Sequence, residues 1–209
     1  MTKNVTNINA LIILNGPPES GKDTLADYII KFDKTCSKTK LAHPLKEGCK
    51  GLYGLTTEQM KYFESNGTIK NSPHELFFGK SWREVNIHLS EKYMKPTYGK
   101  DIFGKILANR IKTQGKPGET ILVSDGGFDE EIVPLIEAFG KDKIVIIKLY
   151  RKDKTFKEDS RNYINTDKLG IVCYELHNKK LDSFLKDGWD LVQILKTGKR
   201  PTVKSNVKT

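Results

Sequence analysis

The sequence predicts an α/β protein with a central parallel sheet flanked by helices, and three observations predict it. Short apolar runs alternate with stretches whose apolar residues recur at i, i+3, i+4 and i+7, so strands and helices follow each other along the chain. The first apolar run passes into a glycine-containing turn, "GPPESGKDT", and an amphipathic pattern resumes at once. The later runs "ETILVSD" and "DKIVIIKLYR" are continuous rather than alternating, as strands covered on both faces are.

In chain order, residues 10–15 read as the first buried strand. Residues 22–33 read as a helix, with Leu25, Tyr28, Ile29 and Phe32 on one face. "TKLAHPLK" reads as a short strand or extended piece, and Pro44 opens a helix through Tyr53. From 56 to 112 the pattern is mainly helical, punctuated by Gly67, Pro73, Gly79 and Pro96. "ETILVSD" is the second clear strand, "DEEIVPLIEAF" the helix after it, and "DKIVIIKLYR" the third strand. A polar stretch, "RKDKTFKEDSRNYI", follows directly; "GIVCYEL" and a final helix around "KKLDSFLKDG" complete the pattern. The helical block is too long for a simple crossover and is expected beside the sheet as a substrate-binding insertion. The expected organisation is one domain: core 8–42 and 116–195, insertion about 43–114, a mobile segment at 151–163 and a basic tail at 196–209.

Composition narrows the function classes. With 37% hydrophobic and 30% charged residues in 209, the chain reads as an ordinary soluble domain, and no window approaches a membrane span. Cys36, Cys49 and Cys173 are odd in number and far apart, so reduced thiols and the cytoplasm are expected (the host's, if a phage encodes the chain), with no zinc pattern. The net charge of +10 fits either a nucleic-acid surface or an enzyme for multiply phosphorylated small molecules. The lysines are spread along the chain without a long basic block before the tail. Nucleic acid is therefore not the expected partner, and the tail's charge reads as a solvated end.

The stretch from Gly16 to Thr24 has the G-x-x-x-x-G-K spacing of a phosphate-binding loop in the required strand–loop–helix context. Glycines there let backbone N–H groups turn inward toward phosphate oxygens, and the following helix adds the positive end of its dipole. Gly16, Glu19, Ser20, Gly21, Lys22, Asp23 and Thr24 are the expected ATP-binding set, with Lys22 on the β and γ phosphates. Asp23 stands where a Ser or Thr usually contacts Mg²⁺, and Thr24 follows with a hydroxyl. Glu19 brings a negative charge into the loop, so its side chain is expected to face outward. Asp125 ends an apolar strand and should emerge at the carboxyl edge of the sheet, where ligands of such folds bind; a turn or helix cap is the alternative.

"GPPESGKDTLA" resembles the loop of nucleoside monophosphate kinases, and its "SGKDT" resembles the bacteriophage deoxynucleoside monophosphate kinases among them. "SWREVNIHLSEKYMKPTYGKDIFGK", "VSDGGFDEE" and "YRKDKTFKEDSRNYI" resemble segments of that family in the same order. The resemblance implies a P-loop kinase fold with a helical acceptor-binding insertion and a lid. It implies transfer of the ATP γ-phosphoryl group to a dNMP, dependent on Mg²⁺, and it leaves a homodimer open. Arg151 and Arg161 would then be lid arginines over the phosphates, against a bland alternative of surface pairing with neighbouring acids. Asp125 would hold the hydration shell of Mg²⁺, alongside Asp23 and Thr24, and Lys22, Arg151, Arg161 and Asp125 form the expected catalytic set. Arg83 is the first choice for the acceptor phosphate, with Lys46 lining the cleft and Trp82 stacking on the base, although an aromatic is more often core. Two rival readings remain: a P-loop kinase of another phosphorylated metabolite, and a nucleotide-binding module without turnover.

Overall fold

The computed structural model describes residues 7–157 and 159–201. Five strands form one parallel sheet: β1 (Ala10–Asn15), β2 (Cys36–Thr39), β5 (Thr120–Gly126), β6 (Ile144–Tyr150) and β7 (Val172–His177), side by side in the order β2-β5-β1-β6-β7. The central strand β1 is buried along its whole length. Its side chains alternate between two cores, as the pleat requires. Ile12 and Leu14 face α1 (Lys22–Phe32) and α10 (Leu181–Lys196), meeting Leu25, Ile29, Phe184 and Val192. Leu11 and Ile13 face α7 (Ile102–Gln114) and α8 (Asp129–Phe139), meeting Leu107, Ile111, Ile132 and Leu135. Burying each such side chain contributes about 1.5–3 kcal/mol, so this two-sided sheet carries the stability of the fold.

Between β2 and β5 the chain is mostly helical: α2 (His43–Leu52), α3 (Thr57–Glu64), α4 (Gly67–Asn71), α5 (Trp82–His88), α6 (Lys95–Tyr98) and α7. A two-strand hairpin, β3 (Pro73–His74) with β4 (Lys80–Ser81), interrupts it between Pro73 and Ser81, in a stretch expected to be mainly helical. This block has its own core of Cys49, Phe63, Phe77, Trp82 and Val85. Ser81 starts α5 with a reciprocal capping box, its hydroxyl accepting from Glu84 N while the Glu84 carboxylate accepts from Ser81 N. From Trp82 to Tyr98 the helix is continuous, with π-helical turns at Leu89–Met94.

Two sequence expectations need correction. The short strand or extended piece expected on "TKLAHPLK" is a turn into α2, and the strand lies earlier, at Cys36–Thr39. The amides of Leu41 and Ala42 donate instead to the Asp125 carboxylate, at 2.7 and 3.0 Å, and so are taken away from the sheet. The last helix runs on to Lys196, because Val192 and Leu195 continue its buried face. Of the basic tail, 202–209 lie outside the described residues. Among the described residues, no helix is long and apolar enough to cross a membrane.

Candidate active site

The loop leaves β1 at Asn15 and enters α1 at Lys22. A Cβ on Gly16 would lie 2.7 Å from both the Leu149 carbonyl and Ser20 Oγ, so only glycine fits there. Glu19 (φ 60°) and Gly21 (φ 107°) are left-handed, and Gly21 provides no side-chain cap for α1. The first amides of α1 are thereby left to an anion. Lys22 is 7% exposed and curls back over the loop, Nζ donating to the carbonyls of Gly16 (2.6 Å) and Pro17 (2.7 Å). Burial, and then the Arg161 charge, push Lys22 down to about 8. The Glu19 carboxylate turns outward onto Lys154, while its carbonyl accepts from Arg151 Nη1 at 2.9 Å. The start of the segment expected to be a lid is thus tied to the crest of the loop.

Two clefts meet on this loop. One, of about 570 Å³, is bounded by Gly21, Thr24, Arg151, Asn178, Lys179 and Leu181. The other, of about 340 Å³, reaches into the helical block past Lys46, Lys70, Arg83 and Asn86. Glu19, Lys22 and Asp23 line both. A phosphate chain entering from one side therefore meets a ligand entering from the other at Lys22.

Asp23 sits at this junction, where its carboxylate accepts from Ser124 Oγ (2.9 Å) and pairs with Lys38 (2.7 Å) and Lys40 (2.9 Å). Burial opposes its charge, but the two lysines prevail and hold it well below the usual carboxylate range. Asp125 emerges at the carboxyl end of β5, each carboxylate oxygen accepting one backbone N–H, as a cap for the turn into α2. Among the described residues no three His, Cys, Asp or Glu converge as a metal cage. This donor set fits an ion of the Mg²⁺ kind, which keeps its waters and is held by one or two carboxylates together with substrate phosphates.

Asp159 organises the other side. Arg161 grips it in a fork, Nε to Oδ1 at 2.8 Å and Nη2 to Oδ2 at 2.7 Å, and Arg83 Nη2 stands 3.9 Å from Oδ2. Although burial opposes its charge, Arg161 brings the Asp159 carboxyl down to about 2. The pairing with a neighbouring acid, weighed as the bland alternative for the lid arginines, is thus present for Arg161. It is a nearly buried fork that also draws Arg83 close, not a surface contact. Lys46 pairs with Glu64 at 2.5 Å, and Glu64 also accepts from Trp82 Nε1 at 3.1 Å. Trp82 itself is 0% exposed and packs against Phe63 and Phe77. The expectation that it stacks on a base is therefore corrected: the ring is core and only backs the cleft wall.

Several residues in the clefts escaped the sequence reading: Lys40, Lys70, Asn86, Lys95 and Glu131; Asp159 was read only as a neighbouring acid for the arginines. Lys70 is pushed down to about 8 by burial, then by Lys46, with smaller effects from Arg83 and Arg161. Cations crowded enough to depress one another form a site that an anion relieves. None of these residues belongs to a local spacing; the one available signal was the acidic first turn "DEE" of α8.

A loop of this build at the carboxyl edge of this parallel sheet places the chain in the P-loop kinase-like class of α/β folds. Its sequence is 25% identical over 212 residues to a deoxynucleotide monophosphate kinase of Escherichia phage RB69, spanning 93% of this chain and 85% of that protein. The resemblance seen in the loop and in the order of the later segments therefore extends along nearly the whole chain, and it supports a nucleotide kinase in general. No family model matches the chain. A solved structure from Chloroflexus aurantiacus J-10-fl, provisionally described as a kinase, aligns over 94% of this chain and all of that one, at 13% identity and a TM-score of 0.45.

Proposed function

We propose that the chain is a deoxynucleoside monophosphate kinase that uses ATP and Mg²⁺ to convert a dNMP into a dNDP. The observation that supports this most is the meeting of two clefts at Lys22, one lined by the loop and Arg151, the other by Arg83, Lys46 and Lys70. The similarity to the phage RB69 protein supports the choice of acceptor.

In this reading ATP lies in the larger cleft with its phosphates on the loop amides and Lys22. The dNMP lies in the smaller cleft with its phosphate toward Arg83. An oxygen of the acceptor phosphate attacks the γ phosphorus; the bond from that phosphorus to the β–γ bridging oxygen breaks, and its electron pair leaves with ADP. The acceptor phosphate is already ionised at neutral pH, so no general base is needed and catalysis is positioning plus charge neutralisation. Mg²⁺, when bound through Asp23, Thr24 and Asp125, offsets the charge of the phosphates. Lys22, Arg151 and Arg161 neutralise the rest from the chain's own side.

The test is ADP release with each common dNMP and NMP, run in parallel on the wild type and Lys22→Ala with thermal melting of both. Turnover with at least one dNMP, lost in a folded Lys22→Ala variant, is the expected result. ATP binding without ADP production from any acceptor would overturn the proposal.

A further inference from the structure

The smaller cleft holds one acid that phosphoryl transfer does not use. Glu131 stands in the first turn of α8, is 4% exposed and lines the cleft. Among the described residues its carboxyl makes no hydrogen bond or ion pair. Its oxygens are not wholly enclosed, so the carboxyl opens on the cleft without a protein partner, and its place there asks for a reason. Its position is also fixed: the Glu131 carbonyl lies 2.1 Å from where a Cβ on Gly104 would stand, so glycine alone lets α7 and α8 close on each other here. Phe103, Phe128, Leu41 and Leu45 line the same cleft as flat or apolar wall.

A second orphan shares the cleft. Asn86 donates from Nδ2 to the Trp82 carbonyl at 2.7 Å, while its Oδ1 is buried with no partner. Arg83, Asn86 and Ser90, all of which line the cleft, succeed one another along one face of the continuous helix. Arg83 stands beside Asp159 and marks the phosphate end. Ser90 lies about 10 Å further along the axis at the usual helical rise, roughly the reach from a nucleotide's phosphate to its base.

We propose that Glu131 reads the acceptor nucleobase, its carboxyl hydrogen-bonding a base edge that offers one donor and one acceptor side by side, in the cleft that Asn86 also lines. This rests on the kinase reading given above. Burial, then Asp125, pushes Glu131 up to about 8, against the opposing pull of Lys95 and Arg161 and with a smaller push from Glu130. At neutral pH the group therefore keeps its proton and is donor and acceptor at once, whereas a carboxylate only accepts. An amide side chain is donor and acceptor too, and an alkyl one is neither.

The experiment compares kcat/KM over the four common dNMPs for wild type, Glu131→Gln and Glu131→Leu, with ATP KM and melting recorded for each. Glu131→Ala replaces the leucine variant if that one does not fold. In Glu131→Leu the ratio between the best and poorest base should fall by about tenfold or more, with ATP KM unchanged. Glu131→Gln should keep most of that ratio. A purely structural role would lower all four bases together and leave the ratio intact, which overturns the inference while the kinase reading stands. A wild type that uses every base equally overturns it as well. A wild type that turns over no acceptor overturns the kinase reading, and the inference with it.

Discussion

Lys22 donates to the carbonyls of Gly16 and Pro17 in a nearly buried setting, and that setting governs its pH behaviour. A lysine lowered to about 8 loses its charge as pH rises through that value. The charged form is the one that meets phosphate, so kcat/KM for ATP should fall above about pH 8, by roughly tenfold per unit. In the complex the phosphates favour the charge, so kcat should stay level further into the alkaline range. A kcat/KM profile flat for more than about a unit above that value would remove Lys22 from the phosphates. Glu131 behaves in the opposite sense. Its folded-state value is raised, so between about 4.5 and 8 the unfolded chain ionises while the folded chain holds its proton, and stability declines with rising pH. Glu131→Gln removes that decline, and its gain in melting temperature over wild type should grow from pH 5 to pH 8. The limit is a few kcal/mol, at about 1.4 per unit. A gain that does not vary with pH would show that the group is not held protonated. Lys22 was legible because a phosphate loop is a local spacing. Glu131 and Lys70 were not, because burial by other elements comes first for both, and several of the charges around them, Lys95 and Arg161 for Glu131 and Lys46 and Arg83 for Lys70, are far away in sequence.

At the scale of elements the segment after β6 joins two parts of the site, the loop through Arg151 and Lys154 and the helical block through Asp159. Arg151 and Lys154 hold the backbone and side chain of Glu19, and Arg161 holds Asp159, so in this state each cation already has an oxygen partner. In the proposed reaction arriving phosphates would compete for those guanidinium groups. If both arginines act chiefly once the phosphoryl group is in transit, Arg151→Ala and Arg161→Ala should each lower kcat and kcat/KM together, on the order of 10² or more, with ATP KM little changed. Steady-state kinetics of the two variants checks this, and wild-type turnover in both would leave the two arginines no part in the transfer. The strands β1, β5 and β6 were legible as apolar runs, and α8 from its periodicity, since burial on both faces of a sheet leaves that signature. The start of β2 was not, because "CSKT" carries little apolar signal and owes its place to pairing with β5. The hairpin of Pro73–His74 with Lys80–Ser81 is too short to show any period.

For the whole molecule the arrangement amounts to one reaction site assembled from two halves. In the proposed reaction the sheet and its loop would supply the ATP side and the helical block the acceptor side, and Glu19, Lys22 and Asp23 line both clefts. An analogue that joins adenosine to a deoxynucleoside through a five-phosphate chain reaches both clefts only if they are continuous across Lys22. Linking two bound halves makes the second contact intramolecular, so such a compound should bind far more tightly than either half, by a factor on the order of 10² or more. Calorimetry of the purified chain measures affinity and stoichiometry together. The predicted result is one analogue per chain, tighter than ATP by that margin, with ATP and dNMP both excluded from the complex. An affinity no better than that of ATP, or a complex that still takes up dNMP, would contradict a single phosphoryl-transfer site at Lys22.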